Sequence, residues 1–436
     1  MLEIITANRE APVRQLDLLA RVKLMFSANE LKDFVQELDQ TTCALSTFVA
    51  TIQSNRQIEG DVSSRQATKI AKALRQVRAF AISLYLALCD GWKTGCHSKH
   101  EVKLFLEDRV GASADIRRPV GYKTNVPMLI FQLIFAANAS ESEVLWHETA
   151  VQVYHDDHEY HSNNTNSHLS SSKVKISVPK LSSNKPNVTC VEDICGTIET
   201  IRCDQRCVAF VLTEKQQVGM IPTDKNIWIS HTKPNTTTLK ALFLSTSVKS
   251  PRSGPILPWK HRMFLALKLS SNLLQLLQTQ WLASPWSSDV ISFLVRQHVA
   301  AKSGSQEQNV DVSRPFISLV FDTATSSHPQ QKVEPKVVLL ELGILLLEIW
   351  HEMTLETRFA ITEAVTNYYE RQRLATEWFD DMSNPLPELY DRAVSRCIFR
   401  TVGGKSRLLD WDDIEFWRGV CADVIEPLLK ICKQWP

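Results

Sequence analysis

The sequence predicts an α+β protein in which helix predominates. Apolar residues recur at helical spacing in residues 12–93 and again from residue 259 onward, as in amphipathic helices. Between these regions, residues 100–235 contain short alternating runs that are typical of strands. We therefore expect an N-terminal helical hairpin, a small β-rich layer and a C-terminal helical lobe.

The stretch Lys336–His351 predicts a central core helix. It reads KVVLLELGILLLEIWH and is apolar around almost its whole circumference, a pattern typical of a helix buried in a sizeable domain. Pro335 precedes it, at a position where a missing N–H is tolerated. Because Glu341 and Glu348 interrupt it, the stretch is too short and too charged for a good membrane span.

Composition excludes few classes of protein. The chain has 436 residues, is 44% hydrophobic and 22% charged, and carries a formal net charge of +1, which is ordinary for a globular protein. The near-neutral charge and the absence of a basic stripe between the tryptophans predict no nucleic-acid partner. We also expect no membrane span, no secretory signal, ten reduced cysteines and a cytoplasmic location.

Three regions are predicted along the chain. Residues 1–98 form the helical region, in which apolar stripes at 28–53 and 65–92 pair as a hairpin and a new helix starts at Asp61. Residues 99–245 form the β-rich region, with a polar insertion at 155–173 that is expected to be disordered. Residues 246–436 form the helical domain, which begins with the long amphipathic helix 259–282.

The order of elements after residue 259 resembles the helical lobe of protein kinases. The segment Leu342–Ile349, LGILLLEI, looks like the buried central helix of that lobe, and it is followed by a helix reading YDRAVSRCI from Tyr390. With its N-terminal helical region, the turn CDGWKTGCHSKH and this kinase-like half, the chain as a whole resembles a fungal domain family of unknown function associated with prion-inhibition and HeLo-type cell-death proteins, over about residues 80–432. The resemblance implies a kinase-like fold and a role in fungal signalling or regulated cell death.

The sequence lacks the catalytic motifs of protein kinases. A kinase needs a glycine-rich loop, a strand lysine, a catalytic Asp and a metal-binding Asp. The sequence has neither G-x-G-x-x-G, H-R-D nor D-F-G, and Val338 stands where active kinases usually have an acidic residue. Asp289 and Asp322 are the weak candidates for catalytic carboxylates. We therefore expect a pseudokinase-type scaffold without a cofactor.

Four residues near the end of the first region are weak candidates for a zinc site. Cys89, Cys96, His97 and His100 lie within twelve residues and carry thiolate and imidazole ligands. Their C-x6-C-H-x2-H spacing matches no standard zinc motif, so packing and capping of a helix-to-strand turn explain them as simply. No metal is expected.

Three further groups favour structural explanations. They are Cys190, Cys195, Cys203 and Cys207, which suit buried apolar thiols; His155, His158, His161 and His168 in the polar insertion; and Gly403, Gly404, Lys405 and Ser406, which imitate the end of a phosphate loop. The last group lacks the upstream glycine, since Phe399 stands in its place.

Three functions remain open from the sequence. The first is a non-catalytic intracellular scaffold or regulator whose partner is another protein. The second is an atypical nucleotide-dependent phosphotransferase, which requires Asp289 and Asp322 to converge on a nucleotide–metal site. The third is a ligand-binding protein that uses the cleft between the β-rich layer and the helical lobe. The sequence indicates no oligomeric state.

Overall fold

A computed structural model gives the structure of this chain. It describes residues 18–92, 99–109, 129–140, 143–153, 188–204, 208–213, 215–222, 229–230, 235–246, 257–282, 286–299, 306–322, 333–362, 365–381, 383–399 and 410–435. The chain divides into two compact units, Met1–Arg65 and Gln66–Pro436.

The expected N-terminal helical hairpin is wrong. Helix α1 extends over Leu18–Gly91, 74 residues of continuous helix. The new helix predicted to start at Asp61 is part of α1, because nothing in the segment is strong enough to end it. Gly60 costs only about 1 kcal/mol relative to alanine, and the 74 residues include no proline.

The second unit contains the last part of α1, residues 66–91, which is buried along one face, together with eleven strands and nine further helices within the described residues. The strands are β1 (Lys99–Phe105), β2 (Leu129–Ser140), β3 (Glu143–Val153), β4 (Thr189–Cys190), β5 (Val208–Leu212), β6 (Val218–Pro222), β7 (Ile229–Ser230), β8 (Asn235–Thr238), β9 (Ser292–Val299), β10 (Gln306–Val310) and β11 (Phe316–Asp322). The helices are α2 (Ile194–Asp204), α3 (Leu239–Thr246), α4 (Trp259–Leu276), α5 (Pro335–His351), α6 (Leu355–Arg358), α7 (Tyr368–Phe379), α8 (Glu388–Ile398), α9 (Ile414–Val420) and α10 (Glu426–Lys433), and a π-helical turn, Cys421–Ile425, joins the last two.

All eleven strands belong to one mixed sheet, so the expectation of a predominantly helical protein with a small β-rich layer is wrong. The strand order is β10-β9-β11-β1-β2-β3-β5-β6-β4, with β7 paired to β3 and β8 paired to β9. Strands β3 and β5 are parallel, and β4 and α2 lie between them in the sequence. The class is α+β with a large sheet.

The sheet is larger than predicted because strands from residues 292–322 complete it. Strand β11 pairs antiparallel with β1 over seven residues, from Lys99 opposite Asp322 to Phe105 opposite Phe316. From the sequence, residues 292–322 were expected to belong to the helical domain. The polar strand β10, Gln306–Val310, shows no apolar alternation, and its pairing with β9 is a backbone interaction that side-chain pattern does not report. The three-region division remains a prediction.

The predicted core helix matches α5. Its side chains from Val338 to Trp350 are buried, with only Glu341 partly exposed. Helix α8 crosses α5 closely at Gly343, where an added Cβ would lie 2.9 Å from Cγ1 of Ile398. The Tyr390 hydroxyl donates to the carbonyl of Leu346 at 2.8 Å. Gly343 therefore allows the two helices to pack in contact.

Membrane insertion was not expected from the sequence. Among the described residues, no helix has the length and apolar content that would be needed to cross a membrane.

Candidate functional site

The segment between α4 and β9 contains Asp289 and lies against α3. We refer to residues 286–291 as the 286–291 loop. Trp286, the first residue of this loop, is buried. The backbone N–H of Lys240 donates to the Ser288 carbonyl at 3.0 Å, and that of Leu239 donates to the Ile291 carbonyl at 2.9 Å. These bonds fix the loop backbone on the first turn of α3.

Glu348 of α5 connects this loop to α6. Its carboxylate accepts the backbone N–H of Leu355 at 3.0 Å and also bonds the side chain of Ser288. Only 5% of Glu348 is exposed. Burial raises its pKa to about 7, against the opposing effects of these hydrogen bonds and of Arg371. In the sequence, Glu348 was seen only as an interruption of an apolar helix, although a carboxyl group in such a helix signals a specific partner.

The two candidate catalytic carboxylates belong to different elements. Asp289 lies in the 286–291 loop, where 60% of its side chain is exposed, and Lys240 Nζ is 3.3 Å from its Oδ1. Asp322 is the last residue of β11, and its backbone is opposite Lys99 of β1. Convergence of these two residues on a nucleotide–metal site stays a prediction, because the side chain of Asp322 is outside the described part of the structure.

The zinc candidates are only partly described. Cys89 is exposed at the end of α1, and Cys96 and His97 lie outside the described residues. His100 is buried on β1, where its ring stacks on Trp92 with centroids 4.2 Å apart. Its Nδ1 lies 3.7 Å from the Sγ of Cys195. The structure thus brings His100 together with a cysteine of the other predicted cluster.

The remaining sequence clusters give no metal site in the described part of the chain. Cys190 is exposed on β4, whereas Cys195 is buried on α2. The side chain of Cys203 and residue Cys207 are not among those described, and neither are the histidines at 155–168 or the segment 403–406. Within the described residues, no group of three or more His, Cys, Asp and Glu side chains is placed to hold a metal ion.

A buried arginine that the sequence analysis missed joins the end of β1 to α4. Arg109 Nη1 donates to the side-chain oxygens of Asn272 at 3.1 Å and of Gln275 at 2.8 Å. Its guanidinium lies 4.8 Å from the ring centroid of Phe131. Burial lowers the pKa of Arg109 to about 10. The side-chain amides in the apolar stretch of α4 were the signal for such a buried polar partner.

A shallow groove of about 500 Å³ runs beside α7. Its lining residues are Tyr369, Gln372, Arg373, Thr376, Glu377, Asp380 and Phe399. Tyr369 is 74% exposed and Phe399 is 41% exposed. Arg373 and Glu377 form an ion pair at 2.9 Å across one turn of the helix. The groove therefore combines exposed aromatic area with charges of both signs.

Comparison with known proteins gives one match. A protein-family model described as a domain of unknown function (DUF7580) matches residues 71–435. No curated protein and no solved structure matches the chain. The family match covers β1 to β11 and helices α2 to α10, together with the last part of α1.

Proposed function

This chain belongs to the DUF7580 family, and we propose that it is a non-catalytic intracellular scaffold or regulator that binds another protein. The proposal includes a cytoplasmic location and a degenerate kinase-like arrangement of the helical part. In support of that arrangement, α4, the 286–291 loop, α5, α7 and α8 occur along the chain in the order that the resemblance implies, with β9–β11 between the loop and α5. The proposed setting, fungal signalling or regulated cell death alongside prion-inhibition proteins, rests on the sequence resemblance alone.

The observation that carries the non-catalytic part of the proposal is the environment of Asp289. This carboxylate is the candidate in the loop that follows α4, where a kinase lobe carries its catalytic loop. It is 60% exposed and is paired with Lys240 at the surface. Catalytic groups act most strongly in water-excluded sites, where fixed charges are not screened. A solvated carboxylate paired with a lysine lacks that environment.

The neighbouring polar groups also serve structural contacts. Ser288 bonds to the buried Glu348, which in turn holds the first turn of α6 through Leu355. Ser288 and Glu348 thus each link two elements of the fold. These links favour a 286–291 loop that is held in one conformation.

Exposed aromatic residues support a protein partner. Trp259, Tyr369, Phe399 and Trp435 are each at least 41% exposed. Aromatic side chains are enriched at protein–protein interfaces, where they supply large contact area at low entropic cost. The groove beside α7 contains two of these four and is the favoured partner surface.

A thermal-shift titration of the full chain with ATP tests this function. We expect no change in melting temperature at millimolar ATP, with or without magnesium or manganese, because the proposed scaffold has no nucleotide–metal site. Asp289→Ala and Asp322→Ala should respond to nucleotide as the wild type does. Asp33→Ala, an exposed change in α1, is the control for a nonspecific loss of surface charge.

A stabilisation that requires the divalent metal, and that disappears in Asp289→Ala or Asp322→Ala but not in Asp33→Ala, would overturn the proposal in favour of a phosphotransferase. Stabilisation by a small molecule without metal would instead favour the ligand-binding alternative.

A further inference from the structure

The first half of α1 exposes two leucines on one face. Leu38 is 57% exposed and Leu45 is 64% exposed. They are seven residues apart, which is two turns of helix, so they lie above one another on the same side. Two exposed leucines need no explanation singly, but their spacing is the period of a coiled-coil seam.

The same spacing continues in both directions as a heptad repeat. Every seventh residue from 24 to 52 is a large aliphatic: Leu24, Leu31, Leu38, Leu45 and Ile52. The intervening positions, in strict alternation of four and three residues, are Ala28, Val35, Thr42 and Val49. This alternation places both series on one stripe of the helix, as in the a and d positions of a coiled coil. The stripe is about 43 Å long.

The backbone of this segment is suited to a coiled coil. Helix α1 is continuous from Leu18 to Gly91, so no break interrupts the four heptads. The polar residue in the stripe, Thr42, has its hydroxyl bonded to the carbonyl of Leu38 at 2.7 Å. The Thr42 hydroxyl therefore needs no hydrogen-bond partner on a second helix.

We propose that residues 24–52 pair with the same residues of a second copy of this chain in a parallel, two-stranded coiled coil. Because the apolar stripe repeats every seven residues, it can pack against an identical stripe. A second copy of the same helix is therefore the simplest partner. Two of the four a positions are valine and a third is threonine, while four of the five d positions are leucine. β-branched residues at a with leucine at d favour two parallel strands.

Charges on α1 also favour this arrangement. Lys32, Asp33, Glu37 and Asp39 lie outside the stripe and are exposed, as expected for the polar positions of a coiled-coil helix. In an antiparallel pair that sets Leu38 against Thr42, the e positions of the two helices adjoin, and Asp39 would approach Asp39 of the second copy. Parallel pairing sets e beside g and avoids this repulsion.

The inference is independent of the proposed function, because it concerns residues 24–52 and the nucleotide titration concerns the second unit. Sedimentation equilibrium of the full chain tests it. We expect the wild type to be a dimer at micromolar concentration. The double variant Leu38→Glu/Leu45→Glu should raise the dissociation constant by more than about 100-fold, since four leucines leave the interface in each dimer. The matched control Gln36→Glu/Gln40→Glu adds the same charge outside the stripe and should remain dimeric.

The orientation has its own test. Under mild oxidation, Leu38→Cys should form a disulfide between two copies, because equivalent d positions face each other in a parallel pair. Gln40→Cys, on the outer face, should show no more crosslinking than wild type.

A monomeric wild type, or a dimer that survives Leu38→Glu/Leu45→Glu, would overturn the proposal. A dimer in which Leu38→Cys does not crosslink would overturn the parallel arrangement. Capture of a different protein by a monomeric wild type would identify another occupant and equally overturn it.

Discussion

Replacing Arg262 with alanine is expected to lower the free energy of unfolding by about 3–5 kcal/mol, the range seen when one partner of a buried ion pair is removed. Arg262 lies near the start of α4 and is 8% exposed. Its Nε donates to the Leu257 carbonyl at 2.8 Å and its Nη1 to the Trp350 carbonyl at 2.6 Å. Its Nη2 lies 3.1 Å from the Glu352 carboxylate. One side chain therefore joins the beginning of α4 to the end of α5.

The loss would be large because several groups depend on the same guanidinium. Glu352 ends α5 in the left-handed conformation, with φ 55°, and its carboxylate also accepts the backbone N–H of Leu257. Without Arg262 this carboxylate and the Trp350 carbonyl would each lose a charged partner in a largely buried position.

Urea unfolding of the full chain, followed by far-UV circular dichroism, measures the effect. Arg373→Ala is the matched control, because Arg373 is 62% exposed and its ion pair with Glu377 lies within α7. It should cost no more than about 0.5 kcal/mol. A loss below 1 kcal/mol in Arg262→Ala would contradict the structural role assigned to Arg262.

Glu348→Gln is expected to remove a pH dependence of stability between about pH 5 and pH 8. The folded pKa of Glu348, about 7, is above the ordinary value of 4.5 because the carboxyl group is buried. The folded state therefore binds this proton more tightly than the unfolded state. The resulting stabilisation is fully present below pH 4.5 and is lost as the pH rises through 7. Glutamine resembles the neutral acid and keeps an oxygen for the Leu355 N–H.

The measurement is the difference in unfolding free energy between wild type and Glu348→Gln at a series of pH values. Relative to the variant, the wild type should lose roughly 2–3 kcal/mol between pH 5 and pH 8. The contributions of all other groups to the pH dependence are common to both proteins and largely cancel in this difference. A difference that stays constant over this range would show that Glu348 does not take up a proton near pH 7 in the folded protein.

Local composition was sufficient to predict some elements. Helix α5 was predicted because Val338–Trp350 is apolar on every side, which few environments other than a core can satisfy. The continuity of α1 through Gly60 was missed, since a single glycine resembles a boundary in sequence but costs too little to create one.

Non-local pairing limited the rest of the prediction. The apolar run in β11 was visible, but its pairing with β1 joins residues more than 200 positions apart, and sequence period does not reveal such partners. The environment of His100 shows the same limit. Its neighbours in sequence suggested metal ligands, whereas its described contacts are the ring of Trp92 and the thiol of Cys195 on α2.

The pairing of β1 with β11 is the central structural claim, since it makes one sheet of the two regions and sets the backbone position of Asp322. Disulfide formation in the double variant Glu101→Cys/Val320→Cys tests it most directly. These residues are opposite each other in the antiparallel register, so their Cβ atoms should be about 4.5–5.5 Å apart. We expect an intrachain disulfide under mild oxidation, identified by mass spectrometry of the linked peptides against a wild-type background. Glu101→Cys/Leu319→Cys, with side chains on opposite faces of the sheet, should not form one. Failure of the first pair to crosslink, or equal crosslinking of both pairs, would contradict the eleven-stranded sheet.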